Sequence, residues 1–385
     1  MKTNKHFLLL ILLSFISGFI SAQDNYMVHS SSDSTYYDGG KTFPVKKFDE
    51  PESSKKPKNV IFLIGDGMGV SQIFSGIVAN GGSLYMQNFR NIGFITTQSS
   101  DHFVTDSGAG GTALSTGHKT YNGAIGVGPD SIPVENIREK AEAKGCATGV
   151  VSTSLITHAT PASFVAHQPN RNFYEAIASD FLKTNIDVFI GGGLKNFTQR
   201  KDSADLTVTL KAKNYQVVTG IDSISKVKSG KLAGFTSYGH NKSMLEGRGN
   251  VLPVATETAI NILKSDSDGF FLMAEGSQID WGGHKNNTGY IATEMVDFDQ
   301  AVGKALAFAS ENGETLVVVT ADHETGGFAI EGGDFKTGSV SGDFTHDEHT
   351  GVMVPVFAFG PGSEYFRGFH DNTDIPKIIQ KVTGW

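Results

Sequence analysis

Cysteine is almost missing from this chain: Cys146 is the only one among 385 residues. That excludes an internal disulfide and any thiolate-based metal site. Cys146 follows Lys144 and Gly145 at a helix-to-strand junction with no base near it in sequence. It reads as a small buried hydrophobe rather than a nucleophile. Long apolar runs are scarce too. The single one, residues 7–20, follows Lys2 and Lys5 and closes on Ser21 and Ala22, the pattern of a cleaved export signal over residues 1–22. It is shorter than the roughly 20 apolar residues of a membrane span and has no basic flank after it. An exported protein, periplasmic or secreted, with no membrane attachment after cleavage is therefore expected. Positive charge is not in excess either. The formal net charge of -8 argues against a nucleic-acid backbone as an obligate partner. It leaves phosphate esters open, because bound divalent cations reverse the field at a carboxylate-rich site.

Apolar residues are also sparse from 23 to 57, where Ser30, Ser31 and Ser32 and then Lys55, Lys56 and Pro57 stand in runs. This composition buries little surface and reads as a disordered linker or a loosely attached N-terminal arm. The remainder, residues 58–385, suits one large α/β domain or two smaller ones. Short apolar, β-branched runs at 59–64, 147–152, 188–190, 269–273, 316–320 and 356–359 look like buried parallel strands. Helical stretches at 134–144, 255–264 and 288–312 lie between them, the first ending at Gly145 and the last at Gly313. The alternation predicts an α/β fold, a three-layer α/β/α sandwich on a mostly parallel central sheet. The polar, Lys-rich segment 195–250 carries one plausible strand, 215–218, and is expected to be a small peripheral excursion.

Acids and histidines fall where chemistry needs them. Asp66, Glu275 and Asp322 each stand where a strand candidate runs out, and ligands of open α/β sheets bind at the carboxyl ends of strands. Any one of them alone is more ordinarily a helix cap or a loop acid. Three carboxylates on one rim repel one another, and cations resolve the conflict. Asp280 and His284 are one helical turn apart, so both can reach one ion. His323 follows Asp322, and His349 precedes the apolar stretch opening at Val352. Nitrogen and carboxylate ligands without thiolate suit a catalytic zinc site. His6, His29, His102, His240 and His370 read as surface or packing residues, and His118, His167 and His346 are left open. Ser107, followed by Gly108, Ala109, Gly110 and Gly111, looks like a hydroxyl at a helix N-terminus, where backbone N–H groups favour an anion. An N-cap serine is the plainer reading of those residues alone.

Seven segments in order, 64–69, 105–113, 116–126, 157–171, 275–284, 320–327 and 349–351, resemble the alkaline phosphatase family. The resemblance runs from about Lys58 to the C-terminus, which would make 58–385 one catalytic domain. It implies two zinc ions and one magnesium ion per chain. Asp280, His284 and His349 would hold the first zinc. Asp66, Asp322 and His323 would hold the second, with Ser107 as a ligand and as the nucleophile. Asp66, Thr160 and Glu275 would hold the magnesium. Arg171 would clamp the phosphate of a small-molecule monoester, oriented by Asp106, and a phosphoserine would form. Two positions depart from the best-known bacterial pattern. His158 replaces an aspartate that contacts magnesium through water, and Trp281 replaces a lysine that reaches phosphate through water. Both would act from behind the ligands, on metal retention and product release. A phosphodiesterase or sulfatase of the same superfamily, or a silent phosphate-binding protein, are the alternatives. Ser107 together with Arg171 favours monoesters. A homodimer is left open.

Overall fold

A computed structural model describes residues 34–51 and 56–385. The expected export signal and residues 23–33 and 52–55 of the expected linker lie outside the described residues. The six apolar runs all lie in one sheet, which includes Asn91–Thr96 and Gly368–Asp371, not foreseen, and among the described residues has ten strands. In chain order these are β1 (Asn59–Gly65), β2 (Asn91–Thr96), β3 (Ala147–Leu155), β4 (Val188–Gly192), β5 (Gln216–Thr219), β6 (Leu232–Phe235), β7 (Phe270–Gly276), β8 (Thr315–Thr320), β9 (Val354–Phe359) and β10 (Gly368–Asp371). Their spatial order is β10-β2-β9-β8-β1-β7-β3-β4-β6-β5. The run 356–359, expected as a parallel strand, is β9 and runs against both its neighbours; the rest pair in parallel. β1, β7 and β8 are buried along their whole length, as continuous hydrophobicity demands of strands covered on both faces. The helices between them complete an α/β/α sandwich.

The segment 195–250 is peripheral in position but continuous with the sheet, because β5 and β6 are its last two strands. The predicted strand at 215–218 is β5, shifted by one residue, and β6 was not foreseen. Its Ala, Gly and short length carry no strong strand pattern. The helix expected at 134–144 is shorter, Ile137–Ala143, because Asn136 caps it: Asn136 accepts from the Glu139 N–H, and Glu139 bonds back. Cys146 is buried and unpaired, and burial pushes its thiol up to about 11.

Part of the segment read as a linker or arm is held against the domain. Tyr36–Tyr37 pairs with the strand Ser339–Phe344. The Phe43 and Phe48 N–H groups donate to Asn80 and Asn88 at 2.7 and 2.8 Å. Both rings stack on Tyr85, with centroids 5.5 and 5.8 Å away.

Three neighbouring parallel strands, β8, β1 and β7, point their carboxyl ends to one rim. Ile64 pairs with Glu275 on one side and Thr320 on the other. Asp66, Glu275 and Asp322 therefore leave the sheet side by side. A two-residue bridge completes the rim: Glu324–Thr325 pairs with His349–Thr350, setting Thr325 opposite His349.

Candidate metal centre and nucleophile

Ser107 opens the helix Ser107–Thr116, which ends at Gly117 in the left-handed region. Asp106 is the cap, accepting from the Ala109 N–H at 2.9 Å. The same carboxylate accepts from the Gly123 N–H at 2.9 Å and from Arg171 Nη1 at 2.8 Å. One aspartate thus fixes both the start of the helix and the guanidinium. Gly110 lets the helix approach Asp322: a Cβ there would lie 3.1 Å from the aspartate's Cβ and carbonyl oxygen. The Ser107 hydroxyl is buried, 3.3 Å from His323 Nε2.

The ionisable groups gather around that hydroxyl. Ligand atoms of Asp66, Asp322 and His323 lie within 4.8 Å of one another, as do those of Asp280, His323 and His349, and those of Asp66, His158 and Glu275. His284 joins the second set, its Nε2 3.2 Å from His349 Nε2 and 3.3 Å from Asp280 Oδ1. The structure thus brings together Asp66, Ser107, His158, Glu275, Asp280, His284, Asp322, His323 and His349, which come from six separate stretches of chain. Thr160 is buried in the short helix Ala159–Ala162, its hydroxyl beside Glu275 but outside hydrogen-bonding geometry. A ring nitrogen of His158 lies within 4.8 Å of an oxygen of Asp66 and of Glu275.

Buried oxygens without partners mark where cations fit. Neither oxygen of Asp66 is hydrogen-bonded, nor are Asp322 Oδ2, Glu275 Oε1, Thr160 Oγ1 or His158 Nδ1. Unpaired buried carboxylates are costly. Burial pushes Asp66 well above the usual carboxylate range, and Asp322, Asp280 and Glu275 add to the rise. Burial, then Asp280, holds Asp322 near 7. Burial also raises Glu275, against the Ser152 and Ser277 hydroxyls that donate to its Oε2 at 2.6 Å each. Asp280 goes the other way: burial acts upward, but His349, His323 and His284 outweigh it. Burial acts downward on His349, yet its bond with Asp280 raises it to about 9. His323 falls well below its ordinary value through burial and the neighbouring His349, whose ring it stacks on at 3.5 Å. Oxygen and imidazole donors in this number, with orphaned oxygens between them, suit divalent cations of the zinc and magnesium kind.

Neighbours orient the imidazoles. His349 Nδ1 faces the Thr105 carbonyl at 2.8 Å, and His284 Nδ1 faces that of Asp347 at 2.6 Å. Each ring is left with Nε2 toward the centre. Thr325 was not singled out in the sequence, yet its hydroxyl donates to Asp280 at 2.5 Å and lies 3.2 Å from His323 Nδ1. Its position two residues after His323 was the available signal. His240, read as a surface or packing residue, meets Trp281 and His158 edge-on, at 4.9 and 5.8 Å between centroids. Nothing in its own flanks announces that. The three histidines left open make local bonds: His167 with Glu139 and the Gly126 carbonyl, His118 with the Thr116 carbonyl, and His346 with the Glu348 N–H.

The family model described as alkaline phosphatase matches residues 57–343 and 334–385. Alkaline phosphatase 4 of Bacillus subtilis (strain 168) is 35% identical, over 88% of this chain and 90% of that protein. The alkaline phosphatase structure from the Antarctic bacterium TAB5 has a TM-score of 0.82 and 48% identity, covering 86% of this chain and 99% of that one. A histidine-to-aspartate variant of the TAB5 enzyme, with magnesium bound in its M3 site, has a TM-score of 0.80 and 46% identity over 86% of this chain and 99% of that one.

Proposed function

The chain belongs to the alkaline phosphatase family, a family of metal-dependent phosphatases, and from that premise we propose an exported phosphomonoesterase that works through a phosphoserine on Ser107. The observation that carries this reading is the Ser107 hydroxyl. It stands at a helix start, 3.3 Å from His323 Nε2, beside Asp66, Asp322 and Glu275, each with at least one oxygen that has no hydrogen bond. Asp280, His284 and His349 would hold one zinc ion, and Asp66, Asp322 and His323 a second. Asp66, Thr160 and Glu275, with His158 beside them, would hold magnesium. Bound there, the cations supply Lewis-acid chemistry, lowering the proton affinity of the Ser107 hydroxyl and offsetting charge on the phosphoryl and leaving oxygens.

Ser107 Oγ gives its proton to solvent and attacks phosphorus, and an Oγ–P bond forms as the ester P–O bond breaks in line. The leaving oxygen departs with the electron pair and takes a proton from solvent. Arg171, fixed through Nη1 to Asp106 at 2.8 Å, binds the phosphoryl oxygens whose charge spreads in the transition state. Water then attacks phosphorus and loses a proton to solvent, the Oγ–P bond breaks, Ser107 Oγ takes back a proton, and inorganic phosphate leaves. Small phosphate monoesters are the substrates this machinery suits. Export rests on residues 1–22; among the described residues no helix is long and apolar enough to cross a membrane.

Replacing Ser107 tests the reading. Ser107→Ala is expected to lower kcat for a nitrophenyl monoester by at least about a thousand-fold, with zinc and magnesium still bound on elemental analysis. The wild type, quenched in acid during turnover, should carry phosphate on Ser107 by mass spectrometry. Hydrolysis that survives in Ser107→Ala, or a diester cleaved faster than the matching monoester, would overturn it.

A further inference from the structure

The return from β6 to the next helix, residues 236–250, is clipped to the domain along its length. The Gly193 N–H donates to the Ser237 and Gly239 carbonyls at 3.1 and 2.8 Å. In the middle, Asn241 Nδ2 donates to the Thr153 carbonyl at 3.1 Å, and Gln278 Nε2 donates to the Asn241 carbonyl at 3.1 Å. Gln278 opens the helix that carries Asp280, Trp281 and His284. At the far end Arg248 is sunk between Glu294 and Asp297 of the helix Thr288–Asn312, at 2.5 and 2.7 Å. The Met244 N–H also donates to Glu294, at 2.9 Å. A buried arginine on two carboxylates is costly to desolvate and costly to break, so this strap is fixed rather than draped.

What the strap presents is His240. Its Nδ1 accepts from the Leu155 N–H at 3.3 Å, which leaves its proton on Nε2 and sets the ring plane. The ring meets the Trp281 indole edge-on, with centroids 4.9 Å apart at 79°. It meets His158 at 5.8 Å and 80°, and His158 meets Trp281 at 6.2 Å and 80°. The three rings hold one another in edge-to-face contacts, an arrangement favourable beyond its buried area. His158 is the member with a nitrogen among the Asp66 and Glu275 oxygens.

We propose that His240 is a positioning residue for the Asp66, His158 and Glu275 metal group, acting through the rings of His158 and Trp281. The proposal rests on the reading of that group as the magnesium site. The segment 195–250 then has a purpose beyond extending the sheet: it carries a ring from the sheet edge to the back of the metal group.

The test uses zinc-loaded protein carrying Trp385→Phe, so that Trp281 is the only indole left of the two in the chain. Magnesium is titrated calorimetrically, and indole emission is recorded without magnesium. His240→Ala is expected to weaken magnesium binding about ten-fold and to shift Trp281 emission. His240→Asn, which keeps an acceptor for Leu155 but no ring, is expected to match it and serves if the alanine variant folds poorly. Tyr238→Ala lies on the same strap, where Tyr238 donates to Gln199 at 2.6 Å, and is expected to leave both readouts unchanged. Unchanged magnesium affinity or unchanged emission in the His240 variants would overturn the proposal, as would an equal loss in Tyr238→Ala. If the wild type itself takes up no magnesium, the magnesium reading fails first and the proposal falls with it.

Discussion

Arg171 is held through Nη1, which donates to Asp106 at 2.8 Å, and burial is outweighed by that partner, so its proton affinity is raised. A planar fork fixed in this way offers its remaining N–H groups in a set direction, which an ammonium cannot do. Arg171→Ala should therefore raise KM for a phosphate monoester and the inhibition constant of inorganic phosphate by about ten- to a hundred-fold, the range of a charge-assisted hydrogen bond. Arg171→Lys should recover little of it. Steady-state kinetics with phosphate as inhibitor decides the point, and equal affinity in wild type and Arg171→Ala would remove Arg171 from the phosphate site. At this scale residue type was enough to propose a role for Asp66, Asp322 and His323, because each stands where a strand ends. It was not enough for Ser107, whose flanks also suit an ordinary helix cap, or for His240, whose flanks suit nothing in particular.

Among the elements, the helix Gln278–His284 and the bridge Glu324–Thr325 pack without room between them. A Cβ on Gly283 would lie 2.7 Å from the Thr325 carbonyl oxygen and 2.8 Å from its side chain. Since the contact includes backbone, one element has to move. The same two elements are joined by the 2.5 Å bond from Thr325 to Asp280. Gly283→Ala is expected to cost about 1–3 kcal/mol of stability and to lower kcat/KM about ten-fold or more, because misplaced ligands lose productive geometry. Urea unfolding and monoester kinetics measure the two separately; a variant unaltered in both would show that the bridge yields freely. The one-turn spacing of Asp280 and His284 was legible, since a helix fixes it. The bridge that brings His349 opposite Thr325 was not, because two-residue strands carry no periodicity to read.

For the molecule as a whole, the metal centre couples stability to pH. Without cations, Asp322 is held near 7 and Asp66 is raised as well, while His349 is raised to about 9. Unfolded, these carboxylates titrate near about 3.9 and the imidazole near about 6.5. The folded chain therefore binds these protons more tightly, and their contribution to stability is full below the unfolded values and lost as pH rises through the folded ones. His158 and His323 are lowered instead, so they add stability as pH climbs toward about 6.5 and contribute no further slope above it. Between about pH 6.5 and 9 the chelated protein should thus lose Tm steadily. Added zinc and magnesium should raise Tm more at pH 9 than at 6.5, because ligands must be deprotonated to bind. Calorimetry with and without a chelator checks both; a rise that is the same at both pH values would contradict these ligand assignments.

The sequence by itself determined the kind of fold and the kind of chemistry. Buried parallel strands need uninterrupted β-branched runs, and a carboxylate at a strand's end has few other uses when two more stand at equivalent places. The same local rules placed the long helix Thr288–Asn312 with both its ends. Only the tertiary structure decided which strands are neighbours, and so that Asp66, Glu275 and Asp322, expected on one rim, stand side by side there. It alone put His158 among the Asp66 and Glu275 oxygens, and His240 against Trp281. The physical reason is range. Helical and strand periodicity bind residues a few positions apart, while a metal group is assembled across a sheet from segments that meet only after the core has formed.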